Sequence, residues 1–518
     1  MSNRKKVSRR IFLQSLSAGA AGLLMPAVLR ADRSRSKRPN VLFIAVDDLN
    51  DWVGCFGGHP QAITPHMDRL AETGGMVFSR AYCPSTVCCP SRSALLTGIL
   101  PSDSGVYGNS QNLKNAQRTR NAVTLPQYFS KNGYFTLSRG KIFHKHITND
   151  RLDEGQWAFD KWVPTKTEGS TSPDKSDGPA NKLPMPDGRK ATGKAMAFDW
   201  GPTGGKDEGT KDYQTALWAA QELGNRFDKP FFMAVGLSKP HLPWYVPQKY
   251  FDMYPLEKVV VPEFHQDDLD DIKLSNGRNK FGPSEDFLRV QKYDRFKEAT
   301  QAYLAAVSYA DDCLGVILEA LEKSSYADNT IVVIWGDHGW FLGEKLKYRK
   351  THLWEESARC PLIIKAPGLT RAGKSCHRVV NLMDLYPTLI DLCGLPEKSN
   401  IAGRSIMELL ARPDARWDYP TLTTYQKSNH TIRSERWRYT RYADGVEELY
   451  DHENDPMEWT NLAGDPKYGL IKEELVKWLP EYNADDSPRN TIEKKSGQTK
   501  QDKQAERRAK RLSEKAGT

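Results

Sequence analysis

From residue 41 to 46 the chain is apolar without interruption, VLFIAV, and then stops at Asp47-Asp48. So short a run, with no alternation of polar positions, predicts a strand covered on both faces and parallel to its neighbours. Further apolar runs at 231–237, 330–335 and 362–365 are strand candidates. Helical patterning fills the stretches 295–322 and 385–393, and Thr64-Pro65 opens a helix to about residue 73, with Thr at the N-cap and Pro in the first turn. Strands alternating with helices give an α/β class, a large mixed central sheet with helices on both faces. Segments 151–210 and 262–290 are polar and rich in Gly, Pro, Lys and Asp, which predicts surface insertions. From about Pro413 the texture changes to short strands at 421–425, 437–442 and 448–450, followed by a helix at 471–478. That predicts a smaller C-terminal α+β subdomain with a short antiparallel sheet, so the expected division is 32–412 and 413–488.

Composition changes the picture mainly at the two ends. Of 518 residues, 39% are hydrophobic and 27% charged, with a net charge of +9. Residues 1–31 hold six basic and no acidic side chains, and residues 489–518 hold ten basic and four acidic, leaving −3 on the body. Composition therefore gives nucleic-acid binding no support. The last segment, 489–518, reads as a charged tail, disordered or a solvated helix. At the start, Ser8-Arg9-Arg10-Ile11-Phe12-Leu13 precedes a modest apolar stretch broken by Ser, Gly and Pro26. Paired arginines in that setting are the twin-arginine form of a bacterial export signal, with cleavage near Ala31. The expected partner is the twin-arginine export machinery, and the expected location is the periplasm or the exterior. The eight cysteines, at 55, 83, 88, 89, 313, 360, 376 and 393, contain no CxxC pair and match no zinc spacing. Disulfides are optional for a chain exported after folding.

Ligand sites of open α/β sheets lie beyond the carboxyl ends of the strands. Asp47-Asp48 follows the first strand and Asp337-His338 follows the strand at 330–335. If those strands are neighbours, three carboxylates and an imidazole meet at one edge. Their mutual repulsion calls for a compensating cation, and a divalent metal is the economical one.

The remaining candidate chemistry surrounds Cys88-Cys89-Pro90-Ser91-Arg92, which leads into a short helical stretch ending at Thr97-Gly98. This resembles the C-x-P-S-R element of the type I sulfatases, whose first cysteine is oxidised to formylglycine, so Cys88 rather than Cys89 is the expected site. The resemblance covers most of 39–465 and is closest to the iduronate-2-sulfatase group. It implies the alkaline-phosphatase-like sulfatase fold, maturation by a formylglycine-generating enzyme, and a calcium ion bound by Asp47, Asp48, residue 88, Asp337 and His338. Imidazole is a soft ligand for so hard an ion. Arg92 is then expected to hydrogen-bond the hydrated aldehyde, a geminal diol whose hydroxyl acts as nucleophile. Gly140-Lys141-Ile142-Phe143-His144 looks like the family's GKxxH element, with Lys141 stabilising charge and His144 taking the proton that triggers sulfate release. Ser238-Lys239-Pro240-His241-Leu242-Pro243 looks like its KPHxP loop, with His241 as donor to the leaving oxygen. Aligned on Gly343-Glu344, Lys350 matches the lysine that grips sulfate, although Lys347 and Arg349 stand close enough to compete for that role.

The resulting expectation is a sulfuric ester hydrolase acting on a sulfated carbohydrate, a glycosaminoglycan or algal polysaccharide fragment. Two alternatives share the pattern: a phosphodiesterase or phosphonate monoester hydrolase of the same superfold, and an inactive glycan-binding homologue.

Overall fold

The computed structural model describes residues 38–144, 155–165 and 179–489. The expected export signal, the tail beyond Arg489 and part of segment 151–210 lie outside them. Among the described residues no helix is long and apolar enough to cross a membrane.

Strand β1 is Asn40–Val46. Successive strand side chains point to opposite faces, so an unbroken apolar run needs cover on both. Leu42, Ile44 and Val46 join one apolar cluster, while Val41, Phe43 and Ala45 join the other. Helix α1 (Pro65–Glu72) and the 28-residue α3 (Phe296–Lys323) pack in the first cluster. Helix α2 (Cys88–Thr97) and α4 (Leu385–Leu392) pack in the second.

The central sheet adds β2 (Met76–Phe78), β3 (Phe135–Gly140), β4 (Lys161–Val163), β5 (Phe231–Leu237), β6 (Thr330–Gly336), β7 (Leu362–Lys365) and β8 (Ser375–Cys376). Their order is β8-β2-β7-β6-β1-β5-β3-β4. Strands β6, β1, β5, β3 and β4 run parallel, whereas β7 is antiparallel to both of its neighbours. The expected mixed sheet is therefore present. A second sheet, β9 (Thr421–Thr424), β10 (His430–Arg433), β11 (Trp437–Arg441) and β12 (Glu447–Asp451), is an antiparallel meander in chain order.

Register positions the site. Val46 lies opposite Leu237 of β5 and Gly336 of β6, and Gly140 of β3 lies opposite Gly236. Four parallel strands thus end together, delivering Asp47-Asp48, Asp337-His338, Lys141 and the 238–243 loop to one rim. Two glycines permit the close passage of β3 and β5. A Cβ on Gly140, whose φ is +86°, would stand 2.0 Å from the Gly236 carbonyl oxygen. A Cβ on Gly236 would stand 2.3 Å from the Lys141 backbone.

Three expectations change. Strand β3 was not anticipated, because its sequence FTLSRG mixes apolar and polar residues, yet it carries the GKxxH element at its end. Thr64 does precede α1 but makes no side-chain cap; the buried Asp311 of α3 accepts from His66 N and Met67 N at 2.9 Å each. The polar segments are also more than surface insertions. Lys161–Val163 extends the sheet, Trp200–Thr203 pairs with Trp244–Pro247, and Leu269, Ile272 and Arg289 are buried. Their few apolar residues are concentrated on the inward side, which overall composition conceals.

Gly236→Ala should destabilise the protein by about 1–3 kcal/mol or more, the usual cost of overpacking. Activity should fall too, because the added methyl displaces Lys141. Gly204→Ala, where a Cβ meets nothing within 4 Å, should leave both unchanged. Thermal unfolding and turnover of the two variants make the comparison.

Candidate active site

Asp47 and Asp48 turn away from the end of β1 and are buried, as are Asp337 and His338 beyond β6. Asp48 adopts φ +60°, a left-handed conformation that Asp tolerates better than most residues. The turn is pinned from three sides. Asp47 N donates to Leu237 O (3.1 Å), Asp48 N donates to Asp337 Oδ1 (3.1 Å), and Tyr303 of α3 donates its hydroxyl to Asp48 O (2.8 Å). Tyr303 had no signal in the sequence beyond its place in an amphipathic helix.

Cys88 is the first residue of α2, where the helix dipole favours negative charge. Its Sγ, which stands in for one of the two oxygens a matured side chain would carry on Cβ, lies 3.2 Å from His338 Nε2 and 3.0 Å from Lys350 Nζ. Burial raises the thiol pKa, but Lys141 and Lys350 outweigh it and hold the group below its ordinary value. Cys89 belongs to different surroundings, with its Sγ donating to Gln111 O at 3.1 Å. Ser91 Oγ donates to Asp337 O at 2.6 Å, tying α2 to the end of β6.

Arg92 is held inside the carboxylate cluster. Its guanidinium donates to Asp337 Oδ2 (2.7 Å), Asp47 Oδ1 (3.2 Å), Lys141 O (2.5 Å) and Ile142 O (3.1 Å). It therefore binds the carboxylates and the GKxxH turn, and these four bonds leave one of its five N–H groups uncommitted. The same observation amends the charge argument. Lys141 pairs with Asp47 and Lys350 with Asp48, so one buried and two partly buried cations already face the three carboxylates. Despite burial, Lys141, His241 and Arg92 hold Asp47 well below the usual carboxylate range, and Arg92 and His338 lower Asp337.

The three basic residues competing for the sulfate-gripping role are now separated. Lys347 Nζ donates to Gly282 O (2.5 Å) and Arg349 Nε to Asp286 Oδ2 (2.5 Å), while Lys350 alone turns to Cys88. Lys345 pairs with Asp268 at 2.7 Å. Segment 262–290 thus braces the loop on which Lys345, Leu346, Arg349 and Thr351 all have positive φ. Such strain persists only where surrounding contacts over-determine it.

Two histidines complete the rim. His241 Nδ1 lies 2.6 Å from Leu242 O, so it donates there, and Nε2 points to Asp48 Oδ2 at 3.7 Å. Its loop is fixed by the buried Asp212, which accepts from Ser238 N and Lys239 N, and by Lys239 Nζ, which donates to Pro243 O at 2.6 Å. Asp212 stands in a polar stretch that gave no sign of this role. His144 follows Lys141 by one turn of chain; burial first, then Lys141, pushes its pKa down to about 3, so the ring is neutral at physiological pH.

The donor set fits a divalent cation. Asp48, Cys88 and His338 offer ligand atoms within 4.8 Å of one another, as do Asp47, Cys88 and Asp337. His338 Nδ1 is 3.0 Å from Gly339 O, so Nε2 is the ring nitrogen turned to the cluster. The buried Asp48 Oδ2 has no hydrogen-bond partner among the described residues. Hard carboxylate oxygens dominate the set, as calcium or magnesium requires.

Comparison with known proteins places the chain in a family. The family model described as Sulfatase matches residues 39–395, and that described as N-sulphoglucosamine sulphohydrolase, C-terminal, matches 336–485. A sulfatase of Formosa agariphila is 38% identical over 457 residues, covering 86% of this chain and 87% of its own. Iduronate 2-sulfatase of Mus musculus is 28% identical over 534 residues, covering 84% and 93%. A solved structure in complex with D-glucosamine-2-N,6-O-disulfate superposes with a TM-score of 0.63 at 24% identity, covering 85% of this chain and 96% of the other. At that identity the superposition speaks for the fold.

Lys350→Ala should lower kcat by about 10²–10³-fold, the loss typical for one donor aimed at developing charge. Lys347→Ala removes an ammonium held by a backbone carbonyl and should cost less than tenfold per folded molecule. Steady-state kinetics with a sulfate ester, normalised to folded protein, separates the two.

Proposed function

The chain belongs to the sulfatase family, and from that premise we propose that it hydrolyses sulfate esters of a sugar, with residue 88 matured to formylglycine and calcium held by the adjoining carboxylates. The observation that carries this reading is the position of Cys88: at a helix N-terminus, between His338 and Lys350, above Asp47, Asp48 and Asp337. Asp47, Asp48, Asp337 and His338 would hold the metal, with residue 88 completing its shell. Bound there, the ion supplies Lewis-acid polarisation of the sulfate. The hydrated aldehyde supplies a nucleophilic hydroxyl and a second hydroxyl whose deprotonation later releases sulfate.

The chain's own side chains supply the remainder. Lys141 and Lys350, whose charges both act on residue 88, present ammonium groups to the sulfate oxygens. Arg92 holds Asp47 and Asp337 in place, so metal and nucleophile keep one geometry. With Nδ1 engaged by the Leu242 carbonyl, His241 presents Nε2 to the rim and can deliver a proton to the departing sugar oxygen. His144, kept neutral by burial and by Lys141, accepts the proton whose loss frees the sulfate. An arriving anion beside Lys141 weakens the effect of that cation and strengthens His144 as a base.

Likeness to iduronate 2-sulfatase supports an iduronate-type substrate, a glycosaminoglycan or algal polysaccharide fragment. The paired arginines Arg9 and Arg10, outside the described residues, support export to the periplasm or beyond, and Cys88 requires a formylglycine-generating enzyme as partner.

The test pairs two substrates and two ester types. The mature, metal-loaded enzyme should hydrolyse an aryl sulfate and a sugar sulfate far faster than the matched phosphate and phosphonate esters; the reverse preference would favour the phosphonate-hydrolase alternative. His241→Ala should then lose about 10²–10⁴-fold on the sugar sulfate, whose alkoxide cannot leave unprotonated. It should lose much less on an activated aryl sulfate, whose phenolate departs unaided. Equal losses on both would remove His241 from the donor role.

A further inference from the structure

Away from the residue 88 cluster, a cavity of about 420 Å³ opens beside β9, the outermost strand of the second sheet. Its floor is apolar, formed by Leu100, Val379, Met383, Ile401, Leu422 and Ile432. Its rim is aromatic and cationic. Tyr419 is 42% exposed and Trp478 40%, large apolar surfaces to leave in water. Trp417 meets Tyr419 edge-on at 5.0 Å and is fixed by donating Nε1 to Val379 O (2.9 Å). The Arg404 guanidinium lies over the Tyr419 ring, 4.3 Å from its centre, and no carboxylate of the described residues pairs with its side chain.

This rim is preformed. The buried Asp384 accepts from the backbone N of Arg404 (2.7 Å) and of Asn381 (2.8 Å), which orients the loop; the two charges attract each other without forming a direct ion pair. Gly403 adopts φ +96°, and a Cβ there would stand 2.3 Å from Met383 O. Flat rings beside an unpaired guanidinium suit a ligand with an apolar ring face and an anionic substituent.

We propose that this cavity is a second glycan-binding site, which seats a sulfated pyranose of the same polysaccharide on the Tyr419 and Trp478 rings and pairs its sulfate with Arg404. The identity of the ligand rests on the proposed function. Chain geometry places the cavity within reach of the reacting centre. Leu422 of the floor leads to Thr424, which bridges to Ser85, three residues before Cys88. Full extension along that path bounds the separation at about 25 Å. A polysaccharide chain that follows the surface between the two places would engage both, and a second contact raises effective affinity with no change at the first. Short substrates would gain nothing from it.

Arg404→Ala and Trp478→Ala, both at exposed positions, test the site in the mature enzyme. Binding is measured for octasaccharides of heparin, chondroitin sulfate and ulvan and for their chemically desulfated forms, alongside turnover of an aryl sulfate. At least one sulfated octasaccharide should bind the parent, and each variant should weaken that binding tenfold or more. Arg404→Ala should make no difference to the desulfated form, and aryl sulfate turnover should stay within twofold. The proposal is overturned if no octasaccharide binds, if both variants bind the best one as tightly as the parent, or if aryl sulfate turnover falls in parallel. A parent enzyme inert toward aryl sulfate would count against the proposed function, while the binding comparison would still judge the cavity by itself.

Discussion

Strand β1 is hydrogen-bonded to β5 on one side and β6 on the other, and Val46 is the last residue in register with both. A shift of one residue in either pairing would turn every side chain of the moved strand to the other face, exchanging the two apolar clusters that cover the sheet. Core packing therefore fixes the pairing, and the pairing fixes where the chain leaves the sheet. Because β3 aligns with β5 in the same way, four exits fall at one level. Every group proposed to touch the sulfate ester leaves from one of those exits, from the start of α2, or from the braced loop at Lys350. The site's precision is thus a property of the hydrophobic core beneath it.

The price of that convergence is charge. Three buried carboxylates share the rim, and isolated burial of even one would be prohibitive. Arg92, buried in α2, binds two of them together with two backbone carbonyls. Removing one partner from such a buried pair costs about 3–5 kcal/mol, so Arg92 is as much a condition of the fold as of the chemistry. Lys141 and Lys350 instead reach the rim from its edge. A metal held by Asp47 and Asp48, as proposed, would supply the charge that now comes from the two lysines and leave both ammonium groups for the sulfate.

Much of this was legible in the residues. The apolar run at 41–46 gave a doubly covered strand, and the acidic ends of two such strands located the rim before any pairing was known. Motif resemblance placed Cys88, Lys141, His144 and His241, and the structure brings Cys88 and Lys141 onto that carboxylate cluster with His241 at its edge. What escaped was carried by partners distant in sequence. Arg92 reads as a partner of the diol, and its contacts with Asp47 and Asp337 had no signal in the sequence. Lys347, Arg349 and Lys350 differ only in what segment 262–290 offers the first two. Strand β3 lacks the apolar continuity of β1 because it lies near the sheet's edge, and the polar segments conceal their buried residues in an otherwise hydrophilic composition.

The central claim is that residue 88 reacts as an aldehyde, and it is tested most directly by varying the aldehyde content. Preparations made with increasing amounts of formylglycine-generating enzyme can be assayed for sulfate release while peptide mass spectrometry reports the fraction of thiol converted at residues 88 and 89. Turnover per chain should rise in proportion to conversion at 88, pass through zero at none, and bear no relation to residue 89. Full activity in a preparation whose Cys88 is entirely thiol, or conversion confined to Cys89, would contradict the account.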